Sequence, residues 1–171
     1  MSIVANVDLN DKLSYNKETI FLTTKAFQVQ VRVSIDASST YYFAMDPTAM
    51  TKRLGTFPLS LSSANGLVLA DTYQSTLSSV GTTITLYKIT SYSKVDPVCI
   101  IRQGVTPTIT SPSQSRAYII GTKATNQSSG SGAQTVDLIK TIDTTIPIVI
   151  KLANQETSAN IVSVGIVWFE F

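Results

Sequence analysis

Within the segment 25–35, nine residues alternate without a break: Phe27, Val29, Val31, Val33 and Ile35 are apolar, and Gln28, Gln30, Arg32 and Ser34 between them are polar. Successive side chains of an extended chain point to opposite faces, so this pattern predicts a strand with one core face and one wet face. Thr40, Tyr41, Tyr42, Phe43, Ala44 and Met45 follow as an aromatic strand, closed by Asp46 and Pro47. Further strands are predicted over 57–61, 67–70, 82–89, 98–102, 117–120, 135–142, 146–152 and 161–171. Between them lie turn residues: Asn65 with Gly66, Gly81, Asp96 with Pro97, Gly104, Ser111 with Pro112, and the glycines Gly130 and Gly132.

Eight to ten strands with turns at short spacing predict an all-β fold, a two-sheet antiparallel β-sandwich. Long connections alternate with short ones, which favours a jelly roll over a uniform meander. Helical periodicity is weak and confines any helix to one or two short turns, at 46–53 and 71–79.

The C-terminal strand is apolar on both faces. Val162, Val164, Ile166 and Trp168 line one, while Ile161, Val167, Phe169 and Phe171 fall on the other. Such a strand needs cover on both sides. A loop of the same chain or a neighbouring subunit supplies it, so Val162, Val164, Ile166, Trp168, Phe169 and Phe171 are the candidates for an interface or a terminal strand.

Composition sharpens this picture. The chain of 171 residues reads as a single domain over 1–171, with a short N-terminal segment, 1–18, that extends to a neighbour. Ser and Thr make up roughly a quarter of it, well above ordinary usage. Charged residues are only 14%, and from Leu54 to Tyr87 the only one is Asp71. Segment 124–134 is uncharged, rich in Gly and Ser, and reads as a long loop. A net charge of +2, with Lys52 and Arg53 the only adjacent basic pair, gives no basic arm for nucleic acid. No apolar run approaches a membrane span, and the first residues have no signal-peptide pattern.

Catalytic chemistry has little to work with. There is no histidine, which removes Ser-His and Cys-His nucleophile pairs, imidazole metal ligands and a neutral-pH switch. The single cysteine, Cys99, lies in an apolar run and is expected to be a buried, inert thiol. Asp8, Asn10 and Asp11 alternate like calcium ligands but lack the glycine and the downstream glutamate that complete such a loop, so they read as a turn. Asn126 heads an Asn-Gln-Ser glycosylation triplet in the loop expected to be exposed. Tyr41, Tyr42, Tyr73, Tyr87, Tyr92 and Tyr118 read as sheet-border residues rather than sugar platforms. The reading is a non-enzyme with no cofactor, no metal and no small-molecule ligand. Few acids and no histidine further predict a fold that depends weakly on pH.

A single β domain of this length, with long Ser/Thr/Gly loops, no catalytic set and an apolar C-terminal strand, resembles the single jelly-roll structural proteins of viruses. The pattern is clearest over 25–35 and 146–171. The resemblance implies a capsid, turret or decoration subunit that self-assembles, with copies of itself and other coat proteins as partners. Location in the virion is implied too. The neutral, histidine-free composition is similar to that of virion proteins from thermophilic or acidophilic hosts. The missing basic arm departs from the pattern and points away from direct genome contact. Two alternatives stand beside it: an extracellular filament or pilus subunit assembled by donation of segment 1–7 or 161–171, and a carbohydrate-binding β-sandwich module that uses the tyrosines.

Overall fold

The computed structural model describes residues 25–50, 54–56, 59–64, 66–84, 87–88, 96–111, 116–120, 133–136 and 145–170. Segment 1–18, Asn126 and Phe171 lie outside them, as do most of the loop 124–134, Tyr92 and the side chains of Tyr87, Tyr118 and Phe169. The strands are β1 (Lys25–Ile35), β2 (Thr40–Asp46), β3 (Leu54–Thr56), β4 (Leu59–Ser63), β5 (Val68–Gln74), β6 (Leu77–Ser79), β7 (Thr82–Thr83), β8 (Tyr87–Lys88), β9 (Ile100–Gln103), β10 (Thr106–Pro107), β11 (Arg116–Ile120), β12 (Ala133–Val136), β13 (Ile148–Asn154) and β14 (Asn160–Glu170).

Two antiparallel sheets carry the architecture. One runs β12-β4-β14-β1-β8, with β3 also paired to β14; the other runs β11-β5-β13-β2-β9-β7. Eight of these strands pair in a nested order: β1 with β14, β2 with β13, β4 with β12, and β5 with β11. First pairs with last, second with seventh, third with sixth, and fourth with fifth. An antiparallel ribbon doubled on itself and rolled up has this order, and the steps β1–β2, β4–β5, β11–β12 and β13–β14 each cross between the sheets.

The period-two pattern sets the register. In β1, Phe27, Val29 and Ile35 are buried while Gln28, Gln30, Arg32 and Ser34 face water. All eleven residues of β1 pair with β14, so Phe27 meets Trp168 and Val29 meets Ile166 across the ladder. A single core cluster joins Phe27, Leu61, Val164 and Trp168 of the first sheet to Phe43, Val68, Ile120, Ile150 and Leu152 of the second. The two sheets thus form a sandwich around one core.

Between β5 and β11 the chain inserts five short strands, β6 to β10. Among them β8 extends the first sheet beside β1, while β9 and then β7 extend the second beside β2. The same insertion reaches the outer face of the second sheet. Lys151 Nζ donates to Thr110 O at 3.4 Å, and Ile109 N to Ser75 Oγ just past the end of β5, while Gly104 N continues the β2–β9 ladder to Tyr42 O. On that outer face Ala44, Tyr73 and Val149 are register neighbours and all are buried, as is Val105 of the insertion.

Two expectations are corrected. The short helical turns are not seen: no described residue is helical. Within 71–79, residues to Gln74 complete β5 and Leu77–Ser79 form β6; in 46–53 the described part is a turn in which Met50 N donates to Pro47 O. Thr72, a polar residue that breaks the strand pattern of β5, is itself buried, so tertiary pairing overrides the local pattern. The second correction concerns strand count: β3, β6 and β10 are fragments of two or three residues that the pattern does not mark, and the strand predicted over 82–89 is described as two fragments, β7 and β8.

Candidate functional site

β14 lies between β1 and β4, the central position of its sheet. Val162, Val164, Ile166 and Trp168 all point into the core of their own chain and are buried there. Trp168 packs on Phe27 with ring centroids 5.5 Å apart. The chain itself therefore covers the face that these four residues line. The opposite face carries Ile161, 48% exposed, then Ser163, Gly165 and Val167. Phe169 pairs with Ala26 and Gly55 in register.

Around β14 the outer face of the first sheet is polar and nearly uncharged. Gln28, Gln30, Arg32 and Ser34 of β1 face outward beside Ser163 of β14 and Ser60 and Ser62 of β4. Gly165 leaves room for Ser60, whose hydroxyl lies over it and donates to its carbonyl at 3.3 Å. A larger residue at 165 would meet that hydroxyl.

The two ends of the sandwich are tied by different chemistry. At one end the turns β1–β2, β4–β5 and β13–β14 converge on asparagines. Asn154 Nδ2 donates to the carbonyls of Ile35 (3.1 Å), Asp36 (3.0 Å) and Ser158 (2.8 Å), and its Oδ1 accepts from Glu156 N. Asn160 Nδ2 donates to Ser63 Oγ at 2.9 Å, and Glu156 Oε1 accepts from Leu67 N at 2.8 Å. Gly66, at φ 104°, lies under the Glu156 carboxylate, so both its backbone and its surroundings demand glycine.

At the other end two carboxylates fasten the insertion. Glu170 is 7% exposed and accepts from Val98 N at 2.9 and 3.0 Å, from Cys99 N at 2.9 Å and from Trp168 Nε1 at 3.3 Å. Asp46 accepts from Arg102 Nε at 3.0 Å, Thr48 Oγ1 at 2.6 Å and Thr48 N at 3.2 Å. Burial pushes the Asp46 carboxyl up, but the Thr48 and Arg102 hydrogen bonds and the guanidinium charge outweigh it and hold the group below its usual range. Cys99 is fully buried, in line with its apolar run; burial, then the Glu170 and Asp46 charges, push its thiol well above the ordinary range.

Pattern reasoning did not mark the outer edge of the second sheet. Ile119 of β11 is 66% exposed, and its register partner Leu69 of β5 is 37% exposed. Ala153 of β13 continues the row. Two exposed aliphatic residues in one cross-strand row are visible only once the β5–β11 register is known. Nearby, the Tyr73 hydroxyl is buried with no hydrogen-bond partner. Burial, then Tyr42 and Asp71, push that phenol up to about 12. Asp71 and Lys151 face each other across the β5–β13 ladder at 3.9 Å. Among the described residues no three His, Cys, Asp or Glu side chains group as a metal would require, and no helix is long and apolar enough to cross a membrane.

Fold and surfaces thus define an all-β antiparallel sandwich with tied ends and a nearly uncharged outer face on the first sheet. No protein-family model matches the chain, and no curated protein matches it. Among solved structures it is similar to T=1 particles derived from infectious bursal virus, at 17% identity and a TM-score of 0.22, over 87% of this chain and 40% of that one. A mutant VP2 protein of infectious bursal disease virus, also as derived T=1 particles, gives the same identity, coverage and TM-score. This chain spans 40% of the length of those two chains.

Proposed function

We propose that this chain is a non-enzymatic structural subunit of a virus particle, a capsid, turret or outer-surface protein that assembles with copies of itself through its sandwich surfaces. The observation that carries the reading is the nested pairing of eight strands, β1–β14, β2–β13, β4–β12 and β5–β11. That order supports the jelly-roll assignment, and jelly rolls recur in capsid and lectin domains. Fold alone does not choose between those uses. The surface favours assembly: the outer face of the first sheet presents amides and hydroxyls together with Ile161 and Val167, with Arg32 as the only charge among its described outward residues. Copies with such faces approach without mutual repulsion and join through wet, hydrogen-bonded contacts.

The filament reading fares less well. A donated C-terminal strand must be free to leave its own sheet, whereas β14 is hydrogen-bonded to β1 on one side and β4 on the other. Its donation would empty the core of Trp168, Val164 and Val162. Segment 1–7, the other proposed donor, lies outside the described residues.

Negative-stain electron microscopy of the purified chain tests the proposal. Closed rings or shells are expected. Fibres would favour strand donation, and dispersed monomers that bind sugars on a glycan array would favour the lectin-like module.

A further inference from the structure

The insertion leaves the second sheet at β5 and rejoins it on the other side of β13. Ser75 N, just past β5, donates to Pro147 O just before β13, and Gly104 N donates to Tyr42 O on β2. Between these points lie β6 and β10, which pair with each other as a separate two-stranded sheet. The extended chain from Ser75 to Gly81 reaches about 20 Å, enough to pass the spacings of about 4.8 Å each from β5 over β13 and β2 to β9. The inner face there is the core, so the pair crosses on the outer face, where Lys151 of β13 bonds Thr110 O. Ala44, Val149 and Tyr73 form a buried register row on that face, and they lie outside the main core cluster, as does buried Val105.

The crossing pair is no independent hairpin. β7 pairs with β9 as Thr82 with Gln103 and Thr83 with Arg102, and β6 meets β10 at Ser79 with Thr106. These pairs share one register, so the four pieces form a single ribbon in which Gly81 faces Gly104. Both glycines have positive φ, 58° and 63°, the conformation that glycine adopts freely, and a Cβ on Gly81 would strike Gln103 O. The ribbon bends out of the sheet at this glycine pair.

We infer that the β6–β10 part of the ribbon is a strap that opens as a unit, bending at Gly81 and Gly104 and uncovering Ala44, Val149 and Tyr73 while both sheets stay folded. Its ties favour local opening. No charged residue lies in 75–84 or 103–111. Its hydrogen bonds mostly join its own two strands: Thr76 Oγ1 donates to Thr108 Oγ1 at 3.0 Å, Ser78 Oγ to Thr106 O at 3.0 Å, and Thr108 N to Thr76 O at 2.8 Å. Val80 and Ile109 are 53% and 47% exposed, which leaves Val105 and Pro107 as the buried residues of the pair. A segment with few buried apolar groups and solvent-facing hydrogen bonds opens at lower free energy than the whole domain. Closure also carries a cost, because the Tyr73 hydroxyl is buried there with no partner and regains one when solvent reaches it. The inference concerns the single chain and is independent of the assembly reading.

Hydrogen exchange and thiol labelling of the full chain in native buffer test the inference. Amides of 77–80 and 105–109 are expected to exchange together, at least tenfold faster than those of β13 and β14. Val149→Cys, beneath the strap, is expected to react with a thiol reagent at least tenfold faster than Cys99 of the same chain, whose place in the core makes it the reporter of global unfolding. Tyr73→Phe removes the unpartnered hydroxyl and is expected to slow strap exchange at least threefold while leaving β14 unchanged. Strap amides that exchange no faster than those of β13 and β14, or a Val149→Cys thiol that reacts no faster than Cys99, would overturn the strap. Unchanged strap exchange in Tyr73→Phe would overturn the part given to that hydroxyl.

Discussion

Glu170 sits nearly sealed from water and accepts from two backbone amides and an indole, all of which point donors at it. Exchanging the carboxylate for an amide turns one acceptor into a donor facing those N–H groups. Glu170→Gln is therefore expected to cost about 2–3 kcal/mol, read from the urea midpoint, because hydrogen bonds to a charged group are the stronger kind. Tyr73 makes the opposite case: its buried hydroxyl has no partner, so Tyr73→Phe is expected to leave the melting temperature unchanged or raise it by a few degrees, about 1 kcal/mol. Asp46 governs the pH response. Its folded carboxyl lies below the ordinary value of 3.8, so its contribution is complete above that value and is lost as pH falls through the folded one. Melting temperature should hold level from pH 7 to about 5 and decline below about 4, and Asp46→Asn should lose part of that decline. A transition centred near pH 6 would contradict this. The expectation of pH indifference is thus narrowed to the neutral and mildly acid range, since an acid-poor chain has still placed the Asp46 carboxylate at an anchoring point.

At the scale of elements, legibility follows how strictly one face is buried. β1 shows nine of its eleven residues in the alternation from Phe27 to Ile35, because one face packs on the core and the other meets solvent. β5 is only half legible by the same reasoning: 67–70 is marked as a strand but 71–74 reads as a helical turn, because Leu69 is exposed and Thr72 is buried, the reverse of the binary pattern. β14 is marked by its apolar residues, yet the sequence leaves open whether its cover comes from the same chain. The pairing with β1 and β4 answers that for the face carrying Val162, Val164, Ile166 and Trp168. Removing residues 161–171 should therefore abolish the folded state, seen as loss of the cooperative melt and of near-ultraviolet circular dichroism from Trp168. A folded, cooperatively melting truncation would show that the strand is dispensable. The exposed row of Ile119 and Leu69 was not legible, because residues fifty positions apart become neighbours only through the β5–β11 register.

At the scale of the molecule, the chain is a nested antiparallel roll tied at both ends by buried and half-buried polar groups. Asn154, Asn160 and Glu156 fix the turns at one end, and Glu170 and Asp46 fix the insertion at the other. Ends tied by hydrogen bonds and a nearly uncharged outer face on the first sheet suit a subunit whose work is done by contact with its own copies. Sedimentation velocity of the full chain, run across protein concentration and salt, tests that account most directly. A discrete fast-sedimenting particle or a stepwise series of oligomers, populated more as concentration rises, is the predicted result. A single monomer boundary at every concentration and salt would contradict it.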